Sequence, residues 1–102
     1  MLRTPVGFQS FINAKRVAMM EIRVEYYGIL EQVCGTRAEQ LELQDGGQVT
    51  VRDAIDRLVK RHAGLEPHRE HMAYAVGEAL IRENAPVHDG TVLALLPPVS
   101  GG

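Results

Sequence analysis

The chain has 102 residues, which is the size of one small domain with one compact core. Hydrophobic residues make up 45% of it and charged residues 24%, the balance of an ordinary globular protein. The formal net charge of -2 argues against a dedicated nucleic-acid binder, and no apolar run approaches the roughly 20 residues that span a bilayer. The single cysteine, Cys34, cannot close an internal disulfide; a reducing compartment fits, and the cytoplasm is the expected location.

Residues 1–19 stand apart. They carry Arg3, Lys15 and Arg16 and no acid. Pro5 and Gly7 break any early helix, and Phe8, Phe11 and Ile12 are sparse. The segment reads as a disordered arm or as an upstream start ahead of Met19 or Met20. A basic, acid-poor targeting segment is the third reading. The expected division is an N-terminal extension over 1–19, a folded domain over 20–96 and an extended tail over 97–102.

From Met20 the pattern becomes regular. Ile22, Val24 and Tyr26 alternate with Glu21, Arg23 and Glu25, which predicts a strand with one buried face. Gly28 to Cys34 predicts a short helical turn stopped by Gly35. Ala38 to Leu43 alternates again, with Leu41 and Leu43 inward, before a turn at Asp45-Gly46-Gly47. Val51, Ala54, Ile55, Leu58 and Val59 then fall at helical spacing and form one apolar stripe. Thr50 stands at the N-cap with Asp53 three residues on, a variant of the capping box. Arg57, Lys60 and Arg61 suit the C-terminal end of the helix dipole, and Gly64 is the predicted stop.

Leu65 to His71 is polar, contains Pro67 and reads as a loop. Short strands are predicted over Met72 to Val76 and Ala79 to Arg82, joined by a tight turn at Gly77-Glu78. A final strand over Thr91 to Leu96 follows Asp89-Gly90. This order, with one substantial helix, predicts an α+β fold in which a small mixed sheet packs on that helix. One helix covers only one face of a sheet. The last strand is apolar at every position from Val92 to Leu96, so one of its faces serves the core and the other needs a partner, covering loops or the short first helix.

The tail Pro97-Pro98-Val99-Ser100-Gly101-Gly102 has its own physical logic. A carboxylate is a poor acyl donor and must be activated, for example as an acyl-adenylate, by an enzyme that reaches it through a confined channel. Gly101 and Gly102 lack side chains and enter a narrow slot in almost any backbone conformation. Pro97 and Pro98 stiffen the exit from the fold and keep it extended. The expectation is a stiff base with a slim tip and a Gly102 carboxylate that needs no processing.

The stretch from Leu95 to Gly102, with Asp89-Gly90 before the last strand, resembles the ending of the molybdopterin synthase small subunit. That is the MoaD family of the MoaD/ThiS superfamily of ubiquitin-like sulfur carriers. The resemblance extends in element order from Met20 to the end and implies a ubiquitin-like β-grasp with a protruding Gly-Gly tail. It also implies a cycle run by other proteins. An E1-like, MoeB-like enzyme adenylates Gly102 with ATP, and a sulfur donor turns the adenylate into a thiocarboxylate. The charged chain then docks on a MoaE-like large subunit, in a heterotetramer, and gives its sulfur to a pterin precursor of the molybdenum cofactor. By this resemblance Gly102 is the reacting position. Gly101, Ser100, Val99, Pro98 and Pro97 thread the channel, and Leu95 and Leu96 belong to the partner-binding surface. Leu95 and Leu96 stand where members often carry phenylalanine, which keeps the surface apolar. No cofactor is implied for the chain itself, because ATP and the pterin belong to its partners. Other readings stay open: a carrier for a different sulfur-insertion pathway such as thiamine synthesis, a protein modifier conjugated through Gly102, or an interaction module with an inert tail.

The side-chain clusters carry less. His62, His68 and His71 lie around Glu66 and Glu70, but their spacing matches no strong zinc pattern, and no metal is expected. Cys34 has no adjacent histidine motif and is expected to be a buried structural thiol. There is no glycine-rich phosphate loop, Ser/His/Asp set or paired-carboxylate motif. Catalysis is therefore assigned to partners, with this chain as a sulfur-carrying subunit.

Overall fold

The structure, a computed structural model, describes residues 18–98. Strand β1 (Met19–Tyr26) alternates as its sequence does: Met20, Ile22, Val24 and Tyr26 are buried, while Glu21 and Arg23 face solvent. Gly28 adopts a positive φ and admits the short helix α1 (Ile29–Cys34), which Gly35 ends in the left-handed conformation. Strand β2 (Ala38–Gln44) returns antiparallel to β1 and buries Leu41 and Leu43.

Helix α2 (Val51–Arg61) is the main helix. Its stripe of Val51, Ala54, Ile55 and Leu58 is buried. The cap at Thr50 is a full capping box. The Asp53 amide donates to the Thr50 hydroxyl, and the Thr50 amide donates to Asp53 Oδ2 at 2.9 Å. The next amides of the first turn are satisfied by the loop before β5: Val51 N–H donates to Ala85 O and Arg52 N–H to Glu83 O. Strands β3 (Ala73–Val76) and β4 (Ala79–Ile81) form a hairpin, and β5 (Val92–Leu96) completes a five-stranded sheet of order β2-β1-β5-β3-β4. The last strand of the chain is thus the central strand of the sheet. It runs parallel to β1 and antiparallel to β3. Ile22, Val24, Leu41, Leu93 and Leu95 from the sheet meet Ile55 and Leu58 from α2 in one core.

Two expectations need correction. Leu65 to His71 is not a loop: Ala63–His71 is a 3-10 helix. Leu65 is wholly buried and pulls this segment onto the core, and one apolar residue in a polar stretch leaves no periodic signal. Gly64 is not the stop of α2, whose C-cap is His62. Instead, a Cβ on Gly64 would lie 3.1 Å from Val33 Cγ1, so glycine there allows close approach of the 3-10 helix to α1.

The core makes a direct prediction. Leu58→Ala removes a fully buried side chain at the centre of the α2 stripe. It is expected to destabilise the domain by about 2–5 kcal/mol, read as a lower urea midpoint with an unchanged slope.

Candidate functional site: the tail exit and the open sheet face

The tail leaves the fold from the central strand. At that exit the Tyr27 amide donates to Leu95 O at 3.1 Å, tying the end of β1 to the end of β5. Gly28 lies directly against Pro97. A Cβ on Gly28 would stand 2.8 Å from Pro97 Cγ, and the φ of 57° is itself one that residues with side chains avoid. Pro97 is half-buried in this seat and Pro98 is exposed. Val99, Ser100, Gly101 and Gly102, which the sequence marks as channel and reacting residues, lie outside the described residues.

Strand register divides β5 between the two faces of the sheet. Leu95 pairs with Tyr26 and Tyr74 and is wholly buried in the core. The expectation that Leu95 contributes to a partner surface is therefore corrected: its side chain packs the interior. Leu96 points the other way and is half-buried. With Val92 and Ala94 it lines the face that α2 does not cover, beside Ala73 and Ala75 of β3. Leu80, opposite Ala75 on β4, is 72% exposed and extends this apolar surface. Tyr27 and Ile29 stand exposed at the tail end of β1. Sequence reasoning missed Leu80, Tyr27 and Ile29. The alternation of β1 continued by one step would have found Tyr27, whereas Leu80 needs the β3–β4 register. The other half of the open face is charged and polar, with Glu21, Arg23 and Glu25 on β1 and Gln40 and Glu42 on β2.

A third feature joins residues far apart in sequence. Glu39 accepts from Tyr26 Oη at 2.5 Å and from Arg61 Nη1 at 2.9 Å, and its Oε2 lies 2.6 Å from His62 Nε2. The Tyr26 and His62 rings meet edge to face with centroids 5.9 Å apart. Burial alone would raise the Glu39 carboxyl, but hydrogen bonds from Tyr26, His62 and Arg61 outweigh it and hold the group below the usual carboxylate range. Cys34 lies half-buried beside this cluster. Burial pushes its thiol up to about 11, with Glu39 adding to the rise and the Tyr26 hydroxyl opposing it. That is the state of an inert thiol rather than a nucleophile. His62 is thus engaged by Glu39, and among the described residues no group of three His, Cys, Asp or Glu side chains is placed to hold a metal.

A mixed five-stranded sheet holding one main helix, with the chain leaving its central strand at Pro97, defines a ubiquitin-like β-grasp protein. The chain belongs to the ThiS family, whose profile matches residues 24–102. It is similar to the molybdopterin synthase sulfur carrier subunit of Chlamydomonas reinhardtii, at 27% identity over 85 residues that cover 81% of this chain and 100% of the relative. Among solved structures it is similar to SAMP1, the small archaeal modifier protein 1 of Haloferax volcanii. The two share 30% identity at a TM-score of 0.68, over 80% of this chain and 99% of the other. It is also similar to a chain in the complex of subunits 1 and 2 of the molybdopterin-converting factor from Helicobacter pylori. There the identity is 26% and the TM-score 0.54, over 81% of this chain and 100% of the other. Among the described residues no helix is long and apolar enough to cross a membrane.

The Glu39 cluster predicts a pH dependence. Its folded value lies below its unfolded one, so its contribution is complete above the ordinary glutamate value of about 4.3 and is lost as pH falls through the lower folded value. Glu39→Gln is expected to lower stability at pH 7 by about 1–3 kcal/mol in urea titrations. The gap to the native chain should narrow on acidification through that window. A gap that stays constant down to the acid limit would show that the carboxylate charge contributes nothing.

Proposed function

We propose that this chain is a sulfur carrier whose reacting group is the Gly102 carboxylate. An E1-like enzyme adenylates that carboxylate with ATP, and a sulfur donor displaces AMP to leave a thiocarboxylate. The charged tail then enters a large catalytic subunit and gives its sulfur to a pterin precursor of molybdopterin. One observation carries this reading: a proline-containing tail with two glycines at its end leaves the central strand of a ThiS-family β-grasp, next to an apolar face that α2 does not cover. The sulfur-carrier name of the Chlamydomonas relative supports the destination, and the two-subunit Helicobacter complex supports a protein partner.

The division of labour follows from the site. The chain supplies position, stiffness and a docking face, while its own thiol and carboxylate clusters are committed to structure. Gly28 seats Pro97, and the half-buried Pro97 and exposed Pro98 carry the chain outward. Slim glycines then let the carboxylate reach a reaction centre inside another protein. The apolar face around Leu96, Ala94 and Leu80 lies beside that exit, so one partner can grip the face and the tail together. A second reading, conjugation to lysines of target proteins, is favoured by the likeness to a small archaeal modifier protein. A third keeps the sulfur chemistry and changes the acceptor, as in thiazole synthesis for thiamine.

Two predictions test the mechanism. Adding one residue after Gly102, or making Gly102→Phe, is expected to leave the far-ultraviolet spectrum and thermal midpoint unchanged while abolishing thiocarboxylate formation with the E1-like enzyme, ATP and sulfide. Sulfur transfer retained in either variant contradicts the channel mechanism. Leu80→Asp should change stability by no more than about 0.5 kcal/mol. It should nevertheless weaken association with the large subunit at least tenfold in calorimetry, a loss of about 1.4 kcal/mol.

A further inference from the structure

The strand register leaves a hollow on the open face at the end where the tail leaves. It sets Glu25 beside Ala38 and Arg23 beside Gln40 on that face. Ala38 carries the smallest side chain that β1 and β2 place there, so the surface dips at its position. Past the end of the strands, α1 contributes Glu31 and the bend before β2 contributes Arg37. Together they enclose a cleft of about 320 Å³, walled by Arg23, Tyr27, Glu31 and Arg37 and reaching Gly28. Gly28 is also the seat of Pro97, so the cleft and the base of the tail share a residue.

The polar groups of this cleft do not balance. Glu25 is saturated: its Oε2 accepts from Arg23 Nε at 3.2 Å and its Oε1 from Tyr27 Oη at 3.0 Å. Glu31 Oε2 stands 3.8 Å from Arg37 Nε, too far for a hydrogen bond. Among the described residues nothing accepts from the terminal nitrogens of Arg23 or Arg37. Against two guanidinium forks the cleft thus keeps one unsaturated carboxylate, Glu31, and is one acceptor group short. Water meets the shortfall while the side chains of Arg23 and Arg37 are 51% and 87% exposed. A protein that closes over this end removes that water, and a guanidinium covered without an acceptor is costly. The covering protein therefore has to bring one. A carboxylate matches the planar fork, since it accepts two parallel N–H bonds at once.

We infer that this cleft seats an aspartate or glutamate side chain of the large subunit, with Arg23 and Arg37 as its donors. The inference rests on the function proposed above and adds a contact to it. The apolar surface around Leu96 and Leu80 supplies area but little direction. A charge pair at one end of that surface fixes how the partner is turned about the tail. Because the cleft adjoins Gly28 and Pro97, the pair anchors the partner at the point where the chain must enter it.

The test uses the full chain and the large subunit. Arg23→Glu with Arg37→Glu is expected to weaken their association about tenfold or more in calorimetry, with an unchanged thermal midpoint for the free chain, and the loss should shrink at high salt. A second variant, Arg37→Lys, puts an amine in the cleft. Treating its complex with a water-soluble carbodiimide should join that amine, as an amide of zero length, to an aspartate or glutamate of the large subunit, located by fragmentation of the linked peptides. Unchanged affinity on charge reversal overturns the inference. So does a linkage found only to Glu31 of the same chain, or only to a second copy of this chain, because the cleft is then filled without the large subunit. A native chain that fails to bind the large subunit at all contradicts the proposed function and the inference together, whereas a native chain that binds and is indifferent to charge reversal overturns the inference alone.

Discussion

The pairing of β5 between β1 and β3 is the constraint on which the molecule depends. It places the last strand of the chain at the centre of the sheet, hydrogen-bonded on both sides, with Leu93 and Leu95 wholly buried. The fold cannot close until its C-terminus arrives. Once closed, it seats Pro97 at the base of the tail against Gly28. A reactive group carried at the end of a chain is usually poorly positioned, because chain ends fray. Here Pro97 and Pro98 follow directly on a central strand. The parallel relation of β1 and β5 also brings the end of β1, the turn at Gly28 and the tail exit to one end of the sheet, with the start of β1 at the other.

The second constraint is geometric. One main helix covers one face of the sheet, and Ile55 and Leu58 fill that side against Ile22, Val24, Leu93 and Leu95. The other face is left half apolar and half charged, and it adjoins the tail exit. Surfaces of this kind on small domains mark interaction sites. The clusters that resemble chemistry are structural instead. Glu39 ties β1, β2 and the end of α2 through Tyr26, His62 and Arg61. Glu83 does the same on the opposite flank through Arg52, Tyr74 and Arg69. Cys34 keeps its proton.

Much of this was legible in the amino-acid sequence, and the boundary is instructive. The period-two alternation from Met20 to Tyr26 and the helical stripe from Val51 to Leu58 are local signals, and both elements form where they predict. Thr50 and Asp53 announce the helix start three residues apart, and the capping box is present. The misses are non-local. The run from Val92 to Leu96 is apolar throughout, so nothing in it distinguishes inward from outward, and only pairing with Tyr26 and Tyr74 assigns Leu95 to the core. The approach of Pro97 to Gly28 and of Glu39 to His62 joins segments that no spacing rule connects. The 3-10 helix is held by a single buried leucine, Leu65, and one residue makes no period.

The central claim is that Gly102 carries the transferable sulfur, and intact mass with fragmentation of the protein isolated from its native cells tests it most directly. Before isolation the cells are treated with an alkylating reagent that traps thiocarboxylates, so that the charged form survives handling. The account predicts a population in which the C-terminal fragment ending at Gly102, and no fragment containing Cys34 alone, is heavier by one oxygen-to-sulfur exchange plus the trap. A Gly102 that remains a plain carboxylate under trapping, and stays so after incubation with the E1-like enzyme, ATP and sulfide, would contradict it.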